Sequence, residues 1–185
     1  MEKVLKTTSI FQGKHLAINE VDIDFGNWKQ ARFEMASFAD SDIGGVMIAA
    51  YDEKTQEIVM IEQFQVWYGK KTLLLPRWGK KEDCSFLVSA QEELLEETWY
   101  ESDDRREMTQ IYSSPGFFSQ CTKVFFAFNP KISEKSSEGD EIEETIPTKI
   151  TLTDALQKIM NGEIIDARTI CGIFMLHYYI MNTSR

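Results

Sequence analysis

The sequence predicts an α+β domain in which a mixed sheet packs between helices. Three observations carry that expectation. The first half reads as a run of strands, one acidic helix follows, and the second half returns to strands before ending in two helices. A length of 185 residues fits one hydrophobic core that needs no covalent staples. No internal repeat or composition break marks a linker.

Val4–Phe11 is the first candidate strand. His15–Phe25 alternates through Leu16, Ile18, Val21, Ile23 and Phe25, with an irregularity near Asn19 and Glu20. Gly26 and Asn27 give a two-residue turn signal, so Trp28–Phe38 is expected to return as the next strand. Asp40–Gly45 is a turn. Val46–Tyr51 and Ile58–Phe64 flank the polar stretch Asp52–Gln56 as a second hairpin, and their nearly continuous apolar character predicts burial on both faces. Lys70–Leu75 is a shorter strand stopped by Pro76, and Arg77–Cys84 reads as a polar loop. Ser85 is placed to cap a helix that runs to about Tyr100. Glu107–Tyr112 and Lys123–Asn129 are further strands, separated by the breaker Ser113–Gly116. Pro130–Glu144 is a loop longer than compact domains usually tolerate without a function for it. After a last strand at Glu144–Ile150, Thr151 and Asp154 mark a capped helix with Leu156, Ile159 and Met160 as its apolar face, ended by Asn161 and Gly162. The terminal helix opens at Asp166 or Ala167 and runs to about Met181.

Composition narrows the function. Hydrophobic residues make up 43% and charged residues 27%, the balance of a soluble globular protein. The net charge of −10 argues against a nucleic-acid or anionic-membrane partner. An anionic ligand would need a metal or a few local Arg and Lys residues. Cys84, Cys121 and Cys171 are scattered and odd in number, which points to a reducing, cytoplasmic setting. His15 and His177 are too isolated for a zinc site. Met1–Thr8 lacks the apolar core of a signal peptide, and Ile170–Met181 is too short and too interrupted to span a membrane.

The acidic helix is the most informative stretch. Glu92, Glu93, Glu96 and Glu97 crowd within six positions, and residues three or four apart on a helix are neighbours. Each like-charged pair costs roughly 0.2–0.5 kcal/mol on an exposed helix. Two readings account for such a cluster: a solvated face, or hard carboxylate oxygens gathered for Mg²⁺ or Mn²⁺.

Pro76–Tyr100 resembles the Nudix box, G-x5-E-x7-R-E-U-x-E-E-x-G-U, where U is a bulky apolar residue. Glu93, Leu94, Leu95, Glu96, Glu97 and Thr98 match E-U-x-E-E-x in register, and Tyr100 fills the last U. Four fixed positions differ: Trp78 and Trp99 stand where the pattern has Gly, Cys84 where it has Glu, and Glu92 where it has Arg. Gly79 could serve as the first Gly if the loop is shifted by one residue. Val59–Gln63, Ser113–Phe117 and Ala155–Thr169 resemble, in order and spacing, segments of the ADP-ribose and nucleotide-sugar pyrophosphatases, so the likeness covers about residues 44–180.

The resemblance implies an α/β/α sandwich at 44–185, preceded by an N-terminal antiparallel strand arm at 1–43 that joins two copies into a homodimer. It implies Mg²⁺ or Mn²⁺ held by Glu93, Glu97, Glu143 and the carbonyl of Arg77, with Glu96 in support and Glu141 as general base. Pro115, Gly116 and Phe117 would contact substrate. The implied reaction is metal-dependent hydrolysis of the pyrophosphate bond in ADP-ribose or a related nucleoside diphosphate sugar. Bound cations polarise phosphate and acidify water, and a separate carboxylate takes the proton. The lost Arg and Gly positions keep a second reading open, a catalytically impaired domain that binds a nucleotide-sugar or a protein. A purely structural domain explains the helix but not the run of other matches.

Overall fold

The computed structural model describes residues 1–39, 44–81, 83–134 and 145–183. Most of the expected turn at 40–45 and of the loop at 130–144 lies outside them. The described chain forms two compact units. One comprises Met1–Gly44 with Tyr112–Thr122, the other Gly45–Ile111 with Lys123–Arg185.

In the first unit, β1 (Lys3–Gln12), β2 (Leu16–Asp24) and β3 (Gln30–Phe38) form an antiparallel sheet in that order. The irregularity expected at Asn19 and Glu20 belongs to the partner strand. Pairing slips between Ser9 and Phe11 of β1, while β2 and β3 stay in unbroken register. The turn after β2 is longer than the Gly-Asn signal predicts. Phe25 N–H donates to the Lys29 carbonyl at 2.9 Å, and Gly26, Asn27 and Trp28 all take positive φ (74°, 52° and 64°). Trp28 therefore sits in the turn, fully exposed, and the return strand starts at Gln30. The segment Tyr112–Thr122 joins this unit through Ala36, whose N–H donates to the Phe117 carbonyl at 2.6 Å and whose carbonyl accepts from Ser119 N–H at 3.0 Å.

The second unit is built on a seven-stranded mixed sheet. Its main path runs β12 (Thr145–Thr151), β5 (Glu57–Gln65), β4 (Gly45–Asp52), β10 (Cys121–Phe128), β9 (Asp104–Tyr112). The short β6 (Lys70–Leu74) pairs with β5, and β7 (Arg77–Gly79) pairs with β4. A separate ribbon joins β8 (Tyr100–Glu101) to β11 (Lys131–Ile132). The strand β7 corrects the expectation of a polar loop at 77–84. The C-terminal end of β4 pairs with β5, which leaves the backbone groups of Gly45–Met47 in need of partners. Gly79, Trp78 and Arg77 supply them, and Ile48 N–H extends the contact to the Pro76 carbonyl at 3.0 Å.

Burial on both faces is borne out for β4 and for Ile58–Ile61 of β5, and alternation sorts it; Phe64, expected to be buried with them, is 53% exposed. Val46, Ile48 and Ala50 join Val59, Phe125 and Ala127 against Ala90 and Leu94 of α1 (Phe86–Thr98). Met47, Ala49 and Tyr51 join Met60 and Phe126 against Leu152 and Ala155 of α2 (Leu152–Met160) and Ile173 and Leu176 of α3 (Ala167–Thr183). Each fully buried Val, Leu, Ile, Met or Phe side chain among them contributes about 1.5–3 kcal/mol. The approach of α3 is close enough to require glycine: a Cβ on Gly172 would lie 2.6 Å from Leu75 Cδ1 and 2.9 Å from Met47 Cε. The cap on α2 forms as expected, with Thr151 Oγ1 accepting from Asp154 N–H at 3.0 Å. Its apolar face is shifted, however. Leu152 begins the helix, so the covered stripe follows Leu152, Ala155, Leu156 and Ile159, and Met160 is exposed beyond it.

Candidate active site

The helix α1 is fixed at both ends. Ser85 Oγ accepts from Val88 N–H at 3.2 Å, the expected N-cap. At the other end Trp99 adopts the left-handed conformation (φ 62°, ψ 14°), and its N–H closes on the Leu95 carbonyl at 2.8 Å. The helix stops before Tyr100, which starts β8. Between the caps the four carboxylates fall into two stripes of i, i+4 spacing, Glu93 with Glu97 and Glu92 with Glu96.

The inner stripe is buried at Glu93 and braced at the half-buried Glu97. Glu93 is only 5% exposed. The carboxylate of Glu97 accepts the backbone N–H of Arg77 at 3.1 Å. The guanidinium of Arg77 then donates to Asp166 Oδ2 at 3.3 Å, with both side chains mostly covered. The other oxygen of Asp166 caps α3, accepting from Thr169 N–H at 2.8 Å and its hydroxyl at 2.9 Å. Leu75 N–H donates to that hydroxyl at 3.3 Å. A continuous polar chain therefore runs from the acidic helix, through the corner between β6 and β7, to the start of α3. Burial alone would raise the Asp166 pKa. The charge of Arg77, the Thr169 N–H and Arg168 outweigh that effect and hold it below the ordinary aspartate value.

The outer stripe meets a lysine. Lys81 Nζ lies 2.6 Å from Glu96 Oε1 and 3.4 Å from Glu92 Oε2. Its backbone N–H donates to the buried Ser89 hydroxyl at 3.2 Å, which folds the loop back onto the first turns of α1. Partial burial works against the ammonium, but the bonds to Glu96 and Glu92 prevail and raise its pKa above that of an ordinary lysine. The repulsion introduced by Glu92 is thus answered by a cation from the preceding loop.

Of the residues expected in the site, Glu97 and Arg77 come into contact, and Glu93 lies one helical turn before Glu97 on α1. The described contact of Arg77 with the helix is made by its N–H. Glu96 lies on the lysine-bound edge, and Glu141 and Glu143 lie outside the described residues. Pro115, Gly116 and Phe117 belong to the first unit. Pro115 and Gly116 line a cavity of about 520 Å³ there, with Val21, Ile23, Phe25 and Phe33. Neither Trp78 nor Gly79 has a positive φ, and a Cβ at Gly79 would meet nothing within 4 Å, so the backbone requires glycine at neither position. Cys84 is a free, half-buried thiol.

The donors on the inner stripe are hard carboxylate oxygens, which suit Mg²⁺ or Mn²⁺. Among the described residues no three Asp, Glu, His or Cys side chains converge on one point, so this stripe supplies only part of a metal-holding set. Lys81, Ser89 and Arg168 did not emerge from the sequence as site residues. The signal for Lys81 was its position among the few cations just ahead of the acidic run. The signal for Arg168 was its place inside the segment around Asp166.

No protein-family model matches the chain. It is 29% identical over 172 residues to the ADP-ribose pyrophosphatase of Bacillus subtilis (strain 168), covering 93% of this chain and 90% of that protein. It is 31% identical over 144 residues to the GDP-mannose pyrophosphatase of Citrobacter koseri, covering 72% and 73%. A crystal structure of an ADP compounds hydrolase superposes with a TM-score of 0.85 at 18% identity, over 100% of this chain and 96% of that one, a match in fold. The chain belongs to the Nudix hydrolase family. Its place within the family is the ADP-ribose pyrophosphatase branch.

Proposed function

We propose that the protein hydrolyses the pyrophosphate bond of ADP-ribose or a related nucleoside diphosphate sugar in a Mg²⁺- or Mn²⁺-dependent reaction. The observation that carries this reading is the inner stripe, where Glu93 is buried and Glu97 is held at 3.1 Å by the Arg77 N–H. Two carboxylates one helical turn apart, one of them buried, present hard oxygen donors of the kind that Mg²⁺ and Mn²⁺ take. A bound divalent ion would supply charge neutralisation at the phosphates and a more acidic water. Glu93 and Glu97 are its proposed side-chain ligands, joined by Glu143 and the Arg77 carbonyl. Glu141 is the proposed base that takes the proton from water, and Glu96 supports the site from the edge held by Lys81. Pro115, Gly116 and Phe117 are the proposed substrate contacts; the apolar cavity lined by the first two is compatible with a planar base.

A homodimer formed through residues 1–43, with 44–185 as the hydrolase domain, completes the reading. It is supported by Val4, Leu5, Ile10, Phe11 and Leu16, large apolar side chains left exposed in the first unit. No helix among the described residues is long and apolar enough to cross a membrane. Three free cysteines accord with a reducing, cytoplasmic setting.

The test is incubation with ADP-ribose, GDP-mannose and other nucleoside diphosphate sugars, with Mg²⁺, Mn²⁺ or chelator. Release of two phosphomonoesters only in the presence of metal is the expected result. Failure to turn over any substrate with either metal would overturn the proposal. Light scattering with and without residues 1–43 tests the dimer, and a monomeric full chain would exclude it.

A further inference from the structure

We propose that Arg77 and Arg168 form a binding site for a phosphoryl oxyanion beside Asp166, separate from the carboxylates of α1. The two guanidiniums share a single carboxylate oxygen. Asp166 Oδ2 lies 3.3 Å from Arg77 Nη2 and 3.9 Å from Arg168 Nη2. The other oxygen of Asp166 is committed to Thr169. Two positive charges against one negative charge leave one cation uncompensated. Both arginines are largely covered, with side chains 13% and 22% exposed.

The hydrogen bonds are also incomplete. A guanidinium carries five N–H donors. Among the described residues the Arg168 side chain makes no hydrogen bond, and the 3.9 Å approach to Asp166 is its one ion pair. Arg77 donates to Asp166, but its Nε is buried without a partner. Buried donors in native proteins are rarely left in that state, and the Arg77 Nε beside a second guanidinium that makes no side-chain hydrogen bond calls for an acceptor-rich group. A phosphoryl group supplies the missing negative charge and several acceptor oxygens, two of which the planar donor fork of an arginine can engage at once. Burial, and then the charge of Arg77, lower the Arg168 pKa to about 10. An oxyanion between the two would relieve that repulsion. Arg168 remains protonated at neutral pH, so it is ready to bind.

The site does not depend on hydrolysis, so it stands or falls apart from the proposed reaction. Its ligand could be the diphosphate of a substrate or free phosphate. The experiment is calorimetric titration of inorganic phosphate and pyrophosphate into chelator-treated protein at neutral pH. The wild type, Arg168→Gln, Arg168→Lys and Glu93→Gln are compared. The wild type is expected to bind pyrophosphate without metal. Arg168→Gln should weaken binding by about tenfold or more, the range expected for a lost charge-assisted bond. Arg168→Lys should recover part of the loss, and Glu93→Gln should leave binding intact. Absence of binding by the wild type at millimolar anion, or equal binding by Arg168→Gln, would overturn the proposal. So would anion binding that requires metal and disappears in Glu93→Gln, although that result would support the proposed reaction. If Arg168→Gln fails to melt cooperatively, Arg168→Lys and Arg77→Lys decide, and unchanged binding in both counts against the site. Displacement of bound pyrophosphate by ADP-ribose under chelation assigns the site to substrate. Retention of pyrophosphate against ADP-ribose assigns it to free phosphate.

Discussion

The two edges of helix α1 carry the same residue type at the same spacing yet live in different environments. Glu93 and Glu97 face a buried corner where the backbone of Arg77 and the Arg77–Asp166 pair hold the structure in place. Glu92 and Glu96 face a half-exposed lysine. A carboxylate beside a fixed backbone donor keeps its position whatever the solvent does. A carboxylate paired with a flexible ammonium keeps it only while that pair survives salt and thermal motion. The difference teaches that sequence register alone does not fix a carboxylate's surroundings; the rigid partners behind each one also matter.

The sharpest way to break this comparison is by activity. If the inner edge holds the metal, Glu93→Gln and Glu97→Gln each remove several kcal/mol of transition-state stabilisation, a loss on the order of 1,000-fold in kcat/KM. Glu92→Gln should lose less than about tenfold. Steady-state hydrolysis of ADP-ribose with Mg²⁺ checks this, and equal losses on both edges would erase the distinction.

The brace behind the inner edge gives the next largest effect. Asp166→Asn leaves the covered Arg77 without its carboxylate and should cost about 3 kcal/mol in urea unfolding. The pH dependence has a definite sign. The folded pKa of Asp166 lies below the ordinary 3.8, so its contribution is fully present above that value and fades as pH falls through the lower folded value. Stability measured from pH 5 downward should therefore drop more steeply in the wild type than in Asp166→Asn. Parallel curves would show that Asp166 contributes nothing through its charge.

Much of this was legible in the chain. Apolar runs at Val46–Tyr51 and Ile58–Phe64 located the doubly covered strands, because burial on both faces leaves no polar alternation. Ser85 and Thr151 announced their helices, since a cap acts on the next three residues and is local by nature. What the sequence hid was nonlocal. The strand at Arg77–Gly79 exists because β4 needs a partner from a distant segment. The turn at Phe25–Lys29 spans three left-handed residues, one of them a tryptophan that propensity would assign to a strand. In the site, Glu93 and Glu97 were readable from the box register. Lys81, eleven and fifteen positions ahead of its two carboxylates, was not, because no helical spacing connects a loop residue to the helix it folds against.

The outer edge should respond more weakly. Lys81→Met removes two ion pairs whose members are all roughly a third exposed, so the expected loss is under about 1 kcal/mol. That loss should shrink further in high salt, whereas the effect of Asp166→Asn should persist. Thermal melts at low and high ionic strength test both statements. A salt-resistant loss in Lys81→Met would place the lysine with the rigid partners instead.

The smallest expected effect is the one in which the edges share an ending. Trp99 closes the whole helix with φ 62°, a conformation that disfavours side chains with a Cβ, and it stands where the box pattern carries glycine. Trp78 also stands at a glycine of the pattern, but it lies in β7 paired with Val46 and has no positive φ. The two substitutions to glycine should therefore differ in sign. Trp99→Gly relieves left-handed strain of about 1 kcal/mol while giving up a side chain that is 57% exposed, so it should leave stability unchanged or slightly raised. Trp78→Gly places a flexible residue inside a strand and should lower stability by roughly 0.5–1 kcal/mol. Paired urea melts decide the matter: a clear loss in Trp99→Gly would mean that the tryptophan side chain contributes more to the end of the helix than its backbone strain costs.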